Sequence, residues 1–230
     1  MKSYSQFCPV AKAAELFCER WTPLILRDLH WGSTRFSELQ RGVPLMSPTL
    51  LSQRLKQLEA EGVIERRKPP KGRGWTYHLT PAGEEFAPLV DALGVWGQRW
   101  SRRELEDREV DLGLLLWSLE RRANPAVFGD RRVVIRLDFP DQPPARQRWW
   151  FVNESEQCEV CVDDPGFEVD LYLSATLPDM IRIVRGDIGL RRALDEGRLE
   201  ALGEDRVRKR FPDWLNLSPL ADVAPASQAA

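Results

Sequence analysis

Histidine is almost missing from these 230 residues: only His30 and His78 occur, and neither lies in the second half. A histidine general base is thereby excluded from that half. Four cysteines are too few for a disulfide framework in a chain of this length, which fits a reducing compartment. Cys158 and Cys161 spell C-x-x-C, but no second pair follows, and a structural zinc site needs four ligands. On a strand, moreover, residues three apart face opposite sides, so no metal is expected. Nothing approaches the roughly 18 consecutive apolar residues of a membrane span. The opening MKSYSQFCPVAKAAELF lacks the basic-then-apolar order of a secretory signal. A soluble cytoplasmic protein is expected, with no membrane among its partners. A phosphate loop, a nucleophile elbow and a dinucleotide fingerprint are missing too. Asp163-Asp164-Pro165-Gly166 reads as a turn rather than as an acidic pair. The expectation is a protein that is not an enzyme and carries no cofactor.

What is present is an ordinary globular composition, 43% apolar and 30% charged, long enough for two domains. The net charge of −2 conceals an asymmetry. Met1 to Trp100 carries 14 Lys and Arg against 10 Asp and Glu, or +4, and the remainder is −6. Trp31 to Leu79 alone is +5. Phosphate binding needs a local positive surface rather than a basic whole, so an acidic pI of about 5.9 does not exclude DNA.

The apolar periodicity predicts a helix from Pro9 to about Arg20. Thr22-Pro23 reads as an N-cap with proline at the first helical position, and this helix stops at Trp31-Gly32. A short third helix covers Thr34 to Arg41. Ser47-Pro48 opens the clearest amphipathic helix, in which Leu51, Leu55 and Leu58 form one stripe and Gly62 is the stop. Val63 to Arg67 and Trp75 to Leu79 then read as strands around a basic, turn-rich tip, Lys68 to Gly74. Thr80-Pro81 starts a closing helix that reaches Trp100. This is the winged helix-turn-helix order. The charged stretch SRRELED, 101–107, marks the domain boundary, giving domains at 1–100 and 101–220 with a flexible tail at 221–230.

A helix reads the major groove when its outward face carries groups that reach base edges and phosphates. Opposite the leucine stripe lie Thr49, Ser52, Gln53, Arg54 and Lys56. Gln and Arg can bond adenine and guanine edges in pairs, whereas Ser, Thr and Lys more often hold phosphates. Arg66, Arg67, Lys68, Lys71 and Arg73 on the wing can meet flanking backbone or the minor groove. Arg35 and Ser47 complete the candidate DNA-contacting set.

The stretches Cys8-Pro9-Val10, Trp21 to Leu29, Arg35 to Arg41, Ser47 to Leu55, Leu58 to Ile64 and Tyr77 to Gly83 together resemble the HxlR-type winged-helix regulators, a bacterial group. Two departures are Cys18, where the family usually has glycine, and the wing KPPKGRGW, longer than the usual turn. The resemblance implies a homodimer on an inverted-repeat operator in double-stranded DNA, with the N-terminal and closing helices at the dimer interface. It also puts Cys8 at the position of a cysteine that some relatives use as a redox or electrophile sensor. Such a role needs an accessible thiol of lowered pKa, which Lys12, one turn along, would favour.

The second half reads as a helix, Val110 to Arg122, then strands at Arg132 to Phe139, Arg148 to Val152, Glu156 to Val162 and Phe167 to Ser174. Helices at Leu177 to Val184 and Gly189 to Leu194, a strand at Leu199 to Leu202 and a helix at Asp205 to Leu215 follow. The FEVDLYL strand, Leu177-Pro178-Asp179-Met180-Ile181, the Gly186-Asp187 turn, Gly189 to Leu194 and Leu199 to Leu202 together resemble the sterol-carrier-protein fold. The fold class expected is thus a mainly α winged helix followed by an α+β domain. That resemblance implies a pocket for a small apolar effector, with candidate lining from Trp149, Trp150, Phe151, Phe167, Leu171, Leu173, Met180, Ile181 and Val184. Plain core is the alternative for each of these side chains. Two other functions stay open: a regulator whose second half recruits a protein, or a lipid carrier with a vestigial winged helix.

Overall fold

The structure, a computed structural model, describes residues 3–69 and 73–226. The chain divides into two compact units, Met1–Trp96 and Gly97–Ala230.

The first unit contains α1 (Pro9–Phe17), α2 (Thr22–His30), α3 (Phe36–Gly42), α4 (Pro48–Ala60), the strands β1 (Ile64–Arg67) and β2 (Thr76–Leu79), and most of α5 (Pro81–Trp100). Its core is made by Ile25, Leu26, Leu39, Val43, Met46 and the stripe Leu51, Leu55 and Leu58, all essentially buried. Burial of each such side chain is worth roughly 1.5–3 kcal/mol, so this stripe fixes which face of α4 points outward. β1 and β2 pair antiparallel, Ile64 opposite Leu79. Thr34 and Arg35 extend the hairpin: Tyr77 N–H donates to Thr34 O at 2.7 Å, and Arg35 bridges Thr76. Two helix boundaries differ from the sequence reading. α1 ends at Phe17, three residues early. Thr22 is already helical and does not cap α2, because its N–H closes a tight turn onto Glu19 O (3.0 Å) and Trp21 takes the cap position at φ 78°. The buried Thr22 hydroxyl has no hydrogen-bond partner among the described residues.

The second unit holds α6 (Leu112–Arg122), β3 (Val133–Asp138), β4 (Arg148–Glu154), β5 (Gln157–Cys161), β6 (Leu171–Ser174), α7 (Leu177–Arg185), α8 (Leu190–Asp195), β7 (Glu200–Gly203) and α9 (Asp205–Leu215). Its sheet runs β5-β4-β3-β6-β7, with β3 and β6 parallel and every other pair antiparallel. Phe151 and Trp214 meet edge to face at 5.5 Å. Trp214 Nε1–H donates to Asn153 Oδ1 (2.6 Å), and the Asn153 amide donates to Val133 O and Phe151 O, both at 3.1 Å. The one buried amide of the sheet is thus fully used, as a dry interior demands. Gly186 ends α7 at φ 77°, and a Cβ there would lie 2.2 Å from Ala221 O. The first two residues of the segment expected as a flexible tail, 221–230, therefore fall within a folded turn, Pro219–Asp222, against α7. No described helix is long and apolar enough to cross a membrane.

Candidate nucleic-acid interface

Ser47 Oγ accepts the Leu50 N–H at 3.3 Å and caps α4. From there the buried leucines turn Thr49, Gln53 and Lys56 to the surface and leave Ser52 half-buried. Arg54 is placed differently from these four. Its side chain is 11% exposed, and the guanidinium is held by Glu19 (3.1 Å) and Gln57 (2.7 Å). Glu19 stands 35 residues earlier in the α1–α2 turn, a separation that no helical pattern reveals. Arg35 is exposed at the cap of α3, where the Glu38 carboxylate accepts the N–H groups of Thr34 and Arg35.

On the hairpin Arg66, Arg67, Lys68 and Arg73 are all exposed, and Lys71 lies outside the described residues. Arg66 Nε–H donates to Glu59 at 2.8 Å, which pushes its pKa above the usual arginine value. Arg67 pairs with Glu65. Part of the wing's charge is thus compensated locally. Sequence reasoning passed over Trp75, which is 45% exposed and lies under two of the cations. The Arg66 guanidinium sits 5.1 Å and the Lys68 ammonium 5.9 Å from its ring. An aromatic directly across the hairpin from basic residues was the available signal.

Along α5, Leu89, Leu93, Trp96 and Trp100 recur at i, i+4, i+7 and i+11 and are more than half exposed, as are Phe7 and Val10 at the start of the chain. Cys8 is half-buried at the cap of α1. Lys12, expected to favour its thiolate, pairs instead with Glu15 at 3.5 Å.

In the second unit the residues read as pocket lining separate. Phe151, Leu171, Leu173 and Met180 are core, at 1% exposure or less. Trp150 is buried on β4, Trp149 packs against the core, and Phe167 is exposed with Arg132 over its ring at 4.2 Å. Ile181 and Val184 line a cavity of about 250 Å³ together with Leu105, Leu114 and Leu115. The periodicity that finds apolar residues does not distinguish those that fill a core from those that leave a gap. Cys158 packs against the core, and burial, chiefly, pushes its thiol up to about 12. Cys161 falls on the other side of the same strand.

Residues 16–105 match the model of a family described as HxlR-like helix-turn-helix. The HTH-type transcriptional regulator YvaP of Bacillus subtilis is 39% identical over 98 residues, spanning 42% of this chain and 91% of YvaP. An HTH-type transcriptional regulator of Methanothermobacter thermautotrophicus is 33% identical over 101 residues, 42% of this chain and 75% of that protein. Among solved structures, the redox regulator HypR in its oxidized form is 27% identical, covering 43% of this chain and 100% of that one, at a TM-score of 0.39.

Proposed function

The chain belongs to the HxlR-like helix-turn-helix family, whose members related to it are transcriptional regulators and not enzymes, and on that premise we propose that it binds an inverted-repeat operator as a homodimer under control of a small ligand. The observation that carries the reading is the outward face of α4. Thr49, Gln53 and Lys56 stand exposed because the leucine stripe is buried, and the basic β1–β2 hairpin follows directly in the chain. In this reading α4 enters the major groove, Gln53 reads base edges, Lys56 and Thr49 hold phosphates, and the wing cations meet the flanking backbone. The exposed apolar stripe of α5, with Phe7 and Val10, supports the homodimer, since a run of this kind marks an interaction surface.

The second unit is read as a sterol-carrier-like ligand module. Its strand, helix, Gly186-Asp187 turn, helix and final strand occur in the order that pattern requires. A coupling of roughly 1–3 kcal/mol between ligand and DNA would change operator affinity by about 5- to 150-fold. Cys8 enters as a candidate oxidant sensor; after mild peroxide, mass spectrometry is expected to find it modified ahead of Cys18, Cys158 and Cys161. Equal modification of all four removes it from the reading.

The test of the whole is selection of bound fragments from host genomic DNA by the purified protein. The expected outcome is a small set of fragments sharing one inverted repeat, retained less by a Lys56→Glu, Arg73→Glu double variant. Recovery of fragments without a shared sequence, or unchanged retention by that variant, overturns the assignment of the interface.

A further inference from the structure

The cavity beside Ile181 and Val184 is walled by hydrocarbon on α6 and α7. The carboxylates at its edge already have backbone partners. Asp111 accepts the Leu114 N–H at 2.8 Å and caps α6, while Glu109 accepts the Glu106 N–H at 2.9 Å. The cavity therefore suits an apolar body. Its volume of about 250 Å³ falls below the roughly 300 Å³ at which pockets for drug-sized ligands begin, so the body must be compact, smaller than a sterol.

A second cavity of about 540 Å³ adjoins it within the same unit and shares two residues with it, Glu109 and Arg185. Its character is opposite, with Arg102, Arg103, Arg108 and Arg185 along its wall. Three of these cations have acidic partners. Arg102 pairs with Asp187, Arg185 lies 3.3 Å from the same carboxylate, and Arg108 holds Glu106 at 2.7 Å. Around the two cavities four guanidinium groups thus meet four carboxylates, Glu106, Glu109, Asp111 and Asp187, and the Arg103 side chain has no acidic partner among the described residues. Asp111 and Glu109 are engaged by backbone N–H groups, so the Arg103 guanidinium keeps its donors for a ligand at the polar cavity that adjoins the apolar one. Gln98, on the last turn of α5, lines the same polar cavity and donates to Arg185 O at 2.7 Å.

We propose that the second unit binds a compact amphiphilic monoanion, a carboxylate whose apolar body fills the Leu114–Ile181–Val184 cavity and whose head meets Arg103 and Arg185. The assignment rests on the reading of this unit as a ligand module and gives that ligand a charge, a size and a place. Apolar walls supply affinity and the Arg103 guanidinium supplies orientation.

Isothermal titration of the full-length protein with octanoate, 1-octanol and palmitate tests this. Octanoate is expected to bind about tenfold or more tighter than 1-octanol, since a charged hydrogen bond contributes roughly 1.5–3 kcal/mol. Palmitate should bind no tighter than octanoate. Arg103→Glu, a change at an exposed side chain, should remove the preference for octanoate while leaving 1-octanol unaffected, and Val184→Trp should weaken both. Absence of octanoate binding, equal affinity for acid and alcohol, or full octanoate affinity in Arg103→Glu overturns the proposal. Mobility shift of operator DNA by the same preparations separates the two claims: octanoate binding without DNA binding removes the regulator reading alone, and the reverse removes this one alone.

Discussion

Arg54 is held between Glu19 and Gln57 with 11% of its side chain exposed, whereas Gln53, its neighbour in sequence, is exposed. The two therefore answer differently to alanine. Gln53→Ala should relax discrimination at one operator base by about 1–3 kcal/mol with little change in urea unfolding. Arg54→Ala should lose about 1–3 kcal/mol of stability, because Glu19 and Gln57 lose a partly buried charged partner. Competition binding with mutated operators and urea titration distinguish them. Lys56→Ala should weaken binding to all sequences and lower the slope of log K against log salt by about one. Trp75→Ala leaves Arg66 and Lys68 without the ring beneath them, so binding should weaken while Trp75→Phe retains most of it, as read by mobility shift. Cys158 has a thiol raised to about 12 by burial. Its unfolded form ionises at the ordinary, lower value, so from there upward the unfolded chain binds fewer protons than the folded one. Stability is whole below the ordinary thiol pKa and falls as pH rises toward about 12. Cys158→Ala should flatten that fall in urea midpoints measured between pH 8 and 11.

At the scale of elements, α4 was legible because a buried stripe at helical spacing, a serine cap with proline behind it and a terminal glycine all agreed. The hairpin was legible for a like reason, an apolar period change around a turn-rich tip. The α2 start was misread by one residue because the Thr-Pro signal is local and the turn onto Glu19 overrides it. Gly83 shows how tightly the closing helix passes the hairpin: a Cβ there would lie 2.4 Å from Val63 O and 3.0 Å from the Leu79 side chain. In an open helix Gly→Ala gains about 1 kcal/mol. Here backbone overlap costs about 1–3 kcal/mol and reverses the sign. Gly83→Ala is expected to lower the urea midpoint, whereas Gly97→Ala, with open space around its position, should not.

For the whole molecule, the sequence by itself determined the two-part order, the winged helix-turn-helix and the +4 and −6 division of charge, because periodicity, caps and charge are local properties of the chain. It also determined the outward set on α4, apart from Arg54. The stripe Leu89, Leu93, Trp96 and Trp100 is a further local pattern; its exposure predicts that Leu89→Glu with Leu93→Glu halves the sedimenting mass and lowers operator affinity. What only the tertiary structure decided are relations between distant residues. It tied Arg54 to Glu19, placed Arg66 and Lys68 over Trp75, and gave Phe151, Leu171, Leu173 and Met180 to the core rather than to a pocket. It also set an apolar cavity next to a polar one on whose wall Arg103 has no acidic partner among the described residues. Each of these depends on the packing of surfaces from separate elements, and no spacing along one segment encodes which distant side chain arrives to meet it.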